Sequence, residues 1–89
     1  MLTIWKYPLK VEDNQVINGP IVKFLDVMVQ NEIPAIWAVV DEDIDYIEHH
    51  IMTVGTGHEL KVFAKYLGSY MLLSGEFVGH VFIKAKAVP

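Results

Sequence analysis

The sequence predicts a mostly β domain: a small antiparallel sheet, sandwich or barrel-like fold of about six short strands with at most one short helix. Three observations carry that expectation. Runs rich in β-branched and aromatic residues recur at short intervals, clusters of turn residues separate them, and helical periodicity is weak in all but one stretch. The chain has 89 residues, the size of a single domain spanning 1–89, and no repeat, low-complexity segment or linker divides it.

The elements follow in order. Thr3 to Leu9 (TIWKYPL) is rich in β-formers and stops near Pro8. Glu12-Asp13-Asn14 reads as a turn and Asn18-Gly19-Pro20 as a stronger one. Ile21 to Val29 (IVKFLDVMV) and Ile33 to Val40 (IPAIWAVV) form a hairpin joined by Gln30-Asn31-Glu32. Asp41 to Asp45 (DEDID) is an acidic corner. Tyr46 to Val54 (YIEHHIMTV) is the next strand and leads into the glycine stretch Val54 to Leu60 (VGTGHEL). From Glu59 to Leu67, Leu60, Phe63 and Leu67 share a helical stripe, the one stretch with helical periodicity, so at most one short helix is expected. A second hairpin closes the chain, with arms Tyr66–Leu73 and Phe77–Lys84 turning at Ser74-Gly75-Glu76.

Alternation says which strand is central. In IPAIWAVV one face carries Ile33, Ala35, Trp37 and Val39, and the other Pro34, Ile36, Ala38 and Val40. Both faces are apolar, so both are covered, by a second sheet, a helix or another subunit. Hydrophobic residues make up 53% of the chain and the net charge is −4. A domain this small buries only about 60–65% of the surface its unfolded chain exposes. A homo-oligomer is the simplest cover for the remainder.

Composition also narrows the function classes. There is no cysteine, which removes disulfides, thiol nucleophiles and cysteine-ligated zinc. The seven basic residues are all lysines; without arginine's bidentate fork, duplex nucleic acid is not an expected partner. No apolar run approaches the roughly 18 residues of a membrane span. Met1 to Lys6 lacks the basic start and long apolar core of a secretory signal. The expectation is a cytoplasmic protein with no membrane partner.

The glycine stretch VGTGHEL fails both phosphate-loop patterns. A P-loop needs lysine and a hydroxyl where His58 and Glu59 stand, and a dinucleotide fingerprint needs glycine where Leu60 stands. Thr56-Gly57-His58-Glu59 instead spells a capping box. A turn ending a strand is the preferred reading over an anion site at a helix N-terminus.

The remaining candidates are sparse. His49 and His50 are adjacent, so a strand points them to opposite faces. His58 and His80 are distant in sequence, and no metal-ligand spacing occurs, so no metal and no cofactor is expected. Asp41, Asp43 and Asp45 alternate as in a calcium loop, but Tyr46 and Met52 stand where that loop needs glycine and glutamate. Ser69 and Ser74 lack a nucleophile-elbow setting. Asp26 sits on a strand face between Phe24 and Met28, either a perturbed carboxylate or, as is more usual, an edge residue in water. Trp5, Tyr7, Trp37, Tyr46, Tyr66 and Tyr70, with Lys61, Lys65, Lys84 and Lys86, have the chemistry to stack and neutralise a small anionic ring-bearing ligand.

The segments IWKYPL, VMVQNEIPAIWAVVD, VGTGHEL and YLGSYMLLSGEFVGHVFIK together resemble a family of small phage-encoded proteins of unknown function. The shared positions are Trp5, Lys6, Tyr7, Gln30, Trp37, Asp41, Gly55, Thr56, Gly57, His58, Tyr66, Gly68, His80 and Phe82. Ser69 departs from the usual threonine, and Glu32 stands where a glycine turn is usual, which leaves the hairpin turn type open. The resemblance brings no activity, cofactor or catalytic residue.

It implies a non-catalytic oligomer that inhibits a host or defence process by stoichiometric binding, either sequestering a nucleotide-like signal or blocking a host protein. The residues expected to bind are Trp5, Lys6, Tyr7, Trp37, Thr56, Gly57, His58 and His80. The alternatives are a phosphoester or nucleotide hydrolase built on His58 and His80 with Asp26 or Asp41, and a virion or assembly component.

Overall fold

The computed structural model describes residues 1–60 and 64–84. Seven strands run through them: β1 (Leu2–Pro8), β2 (Asn14–Gly19), β3 (Ile21–Gln30), β4 (Ile33–Asp41), β5 (Ile47–Gly55), β6 (Lys65–Leu72) and β7 (Phe77–Ile83). They form a three-stranded sheet in the order β1-β4-β3 and a four-stranded sheet in the order β2-β5-β7-β6. Every ladder is antiparallel.

The mostly β expectation holds, and both hairpins fall where the sequence puts them. The expectation of about six strands holds as well, with β2 among the seven. Asn14, Asn18 and Gly19, expected in turns, are ladder residues of β2, paired with Met52, Glu48 and Ile47 of β5. β2 is short and half polar, so its turn-forming residues masked it; only Ile17 and Gly19 of it are buried. Pro20 then ends the ladder, having no N–H to donate. Its carbonyl accepts from Asp41 N–H at 3.0 Å, and the chain passes from the four-stranded sheet into the three-stranded one.

The expectation of at most one short helix holds, since a 3-10 turn at Leu73–Gly75 is the only helical element among the described residues. The Glu59–Leu67 stretch is not helical where it is described. Leu67 of its stripe is a β6 residue, and residues 59, 60 and 64 have no regular structure. Phe63 lies outside the described residues.

The inner faces of both sheets meet in one core. Ile21, Val27, Ile36, Ala38 and Val40 come from the three-stranded sheet, Ile17, Ile51, Tyr70 and Val81 from the other, and Leu9 from the loop after β1. Ile36 is fully buried and Ile51 nearly so, each contributing about 2–3 kcal/mol of burial. In β4 the core side is Pro34, Ile36, Ala38 and Val40, all buried, while Trp37 and Val39 on the opposite side are half-buried. The other alternate face of that strand is therefore the outer face of the sheet, and the second sheet covers only one side of it.

Candidate functional site

The eight residues expected to bind fall into three places. Trp5 and Tyr7 share the inner face of β1, opposite Ala38 and Ile36. Their rings are 6.4 Å apart and pack against the core. The Tyr7 hydroxyl occupies the space where a side chain at Gly19 would stand. These two aromatics close the sandwich at its β1–β2 side and are committed to packing.

Lys6 and Trp37 lie directly opposite each other on the outer face of the three-stranded sheet. The Lys6 ammonium stands 5.8 Å from the centre of the Trp37 ring, a cation–π distance. It goes on to donate to Gln30 Oε1 at 2.7 Å. The lysine thus crosses the whole sheet, from β1 over β4 to β3. Around it the face is apolar: Leu2, Ile4, Met28 and Ile33 are each more than half exposed. By register they share one side with Val39, Trp37 and Ala35. The functional-site reading of the sequence missed this surface. Its signal was present in the two-sided apolar pattern of IPAIWAVV together with Leu2 and Ile4 at spacing two.

Thr56, Gly57, His58 and His80 border one cleft at the end of β5. Thr56 and His80 are joined on the outer face of the other sheet, and the His58 ring lies against the inner side of Gly55. The Gly55 carbonyl accepts from His58 N–H at 3.0 Å and closes a four-residue turn. Gly57 has φ +87°, which a type II turn requires at its third residue. The glycine stretch is therefore a strand-ending turn. Its expected capping box is corrected as well, because the Thr56 hydroxyl is hydrogen-bonded to His80 Nε2 at 2.7 Å across the β5–β7 ladder.

Val54, Leu60 and Phe82 complete an open cleft of about 240 Å³ with these residues. Phe82 in turn meets Tyr66 edge-on at 5.5 Å. His58 also borders an adjoining cleft with Asp13 and Glu59, two acids that sequence reasoning had not connected with it.

The other candidates are dispersed. Asp41 and Asp43 draw the N-terminal ammonium, at 3.7 and 3.3 Å. Asp26 is exposed on β3, where its Oδ1 accepts from the N–H of its neighbour Val27 at 2.7 Å. None of these three acids lines the clefts that His58 and His80 border. His49 packs edge-on against Phe24 inside the sandwich at 5.2 Å, while His50 is exposed. Of the lysines expected to surround a ligand, Lys84 donates to Asn14 Oδ1 at 2.6 Å and Lys65 is exposed at the start of β6. Lys61 and Lys86 lie outside the described residues. Among the described residues no group of three or more His, Asp or Glu side chains is arranged to hold a metal ion, and no helix is long and apolar enough to cross a membrane.

The family described as a domain of unknown function (DUF7352) matches residues 1–89. No curated protein and no solved structure matches the chain. The chain belongs to the DUF7352 family.

Proposed function

We propose that this DUF7352 protein is a non-catalytic binding protein of phage type, which inhibits a host or defence process by stoichiometric association with a protein target. One observation carries the reading: the outer face of β1-β4-β3 is a broad apolar surface around Trp37, with Leu2, Ile4, Met28 and Ile33 exposed on it. Exposed apolar area of this kind, crossed by Lys6 and rimmed by polar groups such as Gln30 and Asp41, is the composition of a protein-binding patch. Tryptophan at its centre, with methionine on the neighbouring strand, supplies residue types enriched in such interfaces.

A nucleotide-like target has less support. It calls for aromatics and cations around one pocket, whereas Trp5 and Tyr7 pack against the core and Lys6 with Trp37 lies on the sheet opposite His58 and His80. The high apolar content also favours work as an oligomer, which shields part of this surface.

The test is affinity capture from host lysate with the native chain, run beside Met28→Glu and Ile33→Glu. A captured protein lost with both folded variants supports the reading. Capture unaffected by both, or capture of virion components alone, overturns it. Calorimetric binding of a nucleotide that is abolished by His80→Ala would transfer the function to the cleft.

A further inference from the structure

The four edge strands of the two sheets are unequally guarded. β3 and β6 carry register shifts, at Val22 and Leu25 in the first and Leu67 in the second. They also lie along one another, so that a side chain at Gly68 would meet Val27 Cβ at 3.4 Å. β2 has six residues, with exposed Asn14 and Asn18, and ends at Gly19-Pro20. Bulges, shortness, proline and mutual cover are the devices by which sheet edges avoid pairing with other chains.

β1 has none of them before its last residue, Pro8. It runs seven residues in unbroken register with β4, and among the described residues no strand pairs with its other side. Its single charged residue, Lys6, would repel an incoming strand if it stood over that edge. Instead Lys6 is drawn inward across Trp37 to Gln30 of β3.

We infer that the free edge of β1 is a self-association site, where two copies pair antiparallel about a two-fold axis and join their three-stranded sheets into one of six strands. Charge favours a second copy in this orientation. β1 starts beside the acidic corner, with Leu2 opposite Asp41 and the N-terminus held by Asp41 and Asp43, and just beyond its last residue, Pro8, stands Lys10. Antiparallel pairing sets the basic end of each strand beside the acidic end of the other, whereas parallel pairing sets like against like.

The size of the surface points the same way. Three strands at about 4.8 Å and nine residues at about 3.3 Å give one outer face of roughly 400 Å² in plan. That is half of the roughly 800 Å² per partner of a standard interface. The joined sheet doubles it, with Leu2 and Ile4 of both copies in its middle. This last consequence rests on the proposed protein-binding function; the pairing itself does not.

Sedimentation equilibrium of the native chain from micromolar to millimolar concentration tests it. The expected species is a dimer of twice the 10.1 kDa chain. Ile4→Glu and, independently, Leu2→Glu weaken it by at least about tenfold, since each sets a new charge in the joined apolar strip. Met28→Glu and Ile33→Glu, on the same outer face but away from the edge, leave it intact. Thermal melts establish that each variant is folded. A monomer at every concentration overturns the inference, as does association that survives both β1 variants. Equal loss with Met28→Glu overturns it in favour of face-to-face packing. Association is read on the protein alone, so its failure is distinct from a failure to capture a target.

Discussion

Tyr70 and Gly79 stand directly opposite each other across the β6–β7 ladder, and the tyrosine ring fills the space that any side chain at 79 would need. A Cβ at Gly79 would lie 2.8 Å from Tyr70 Cζ and 3.0 Å from Thr53 Cγ2. Both neighbours are buried, so neither has room to withdraw. The same device recurs between the sheets, where the Tyr7 hydroxyl excludes a side chain at Gly19. An aromatic ring covering a strand glycine pins register, because a slip by one residue would drive the ring into a Cβ.

Gly79→Ala is therefore expected to destabilise the fold by about 1–3 kcal/mol through overpacking, read as a lower urea midpoint with an unchanged slope. Combining it with Tyr70→Phe does not rescue it, because Cζ remains; Tyr70→Leu in the same background recovers part of the loss. Full additivity of Gly79→Ala and Tyr70→Leu would show that the two positions are not in contact.

Alkaline pH should weaken the protein through its two buried phenols. Burial raises the Tyr70 phenol above its ordinary value, an effect partly offset by the neighbouring Thr53 hydroxyl. The two hydroxyls face each other without reaching full hydrogen-bond geometry. Burial also raises Tyr7, with Tyr46 adding to the effect. The folded state therefore holds these protons more tightly than the unfolded chain. Their contribution is complete below about pH 10, the unfolded phenol value, and is lost as pH rises through the raised folded values. Urea midpoints measured across that window should fall, and the fall should shrink in Tyr7→Phe and Tyr70→Phe. A slope indifferent to both substitutions would assign alkaline unfolding to other groups.

How much of this was legible follows from which physical signals are local. The hairpin of β3 and β4 was readable because apolar alternation brackets a two-residue turn, and β7 because Phe77, Gly79, Val81 and Ile83 keep one parity. β2 was not readable. Its order comes from pairing with β5, a contact between distant residues that overrides its own turn-forming asparagines. The cluster of Thr56, His58 and His80 was named residue by residue, but no rule of spacing could join residues 56 and 80; only the β5–β7 register does. The outer face was written in the alternation and left unread, because a second apolar face fits a cover of any kind.

The β3–β4 turn is expected to gain stability from glycine. Asn31 and Glu32 have φ 52° and 65°, the positive pair of a type I′ turn, for which Asn-Gly is the favoured sequence. Glutamate carries a steric penalty there. Glu32→Gly should raise the melting temperature, by a gain of about 0.5–1 kcal/mol, while Asn31→Ala lowers it. A loss on Glu32→Gly would mean that the glutamate side chain makes a compensating contact.

The tip of the β6–β7 hairpin is more strained and should respond in the same direction. Leu73 and Ser74 have φ 54° and 55°, and Gly75 follows at 89°. Leu73 is also 65% exposed, so its side chain returns little packing for the strain. Leu73→Gly is expected to stabilise the isolated protein by about 1 kcal/mol. Leu73→Ala, which keeps the Cβ, should give no comparable gain. If Leu73→Gly were destabilising, the leucine would be packed against something the isolated chain does not contain.

Gly57 separates a structural turn from a ligand loop. Its φ of +87° is closed to alanine without strain, although nothing lies within 4 Å of where a Cβ would stand. Any cost of Gly57→Ala is therefore conformational rather than steric, and about 1–2 kcal/mol is expected. Asparagine tolerates the left-handed region, so Gly57→Asn should cost visibly less than alanine. The ordering glycine, asparagine, alanine in melting temperature is the signature of a turn. A ligand loop gives another pattern: Gly57→Ala would melt like the native protein yet lose the stabilising shift that an added anion produces. The hydrogen bond from His58 N–H to the Gly55 carbonyl is the local contact that this turn conformation holds in place. Its loss is what the alanine variant should report.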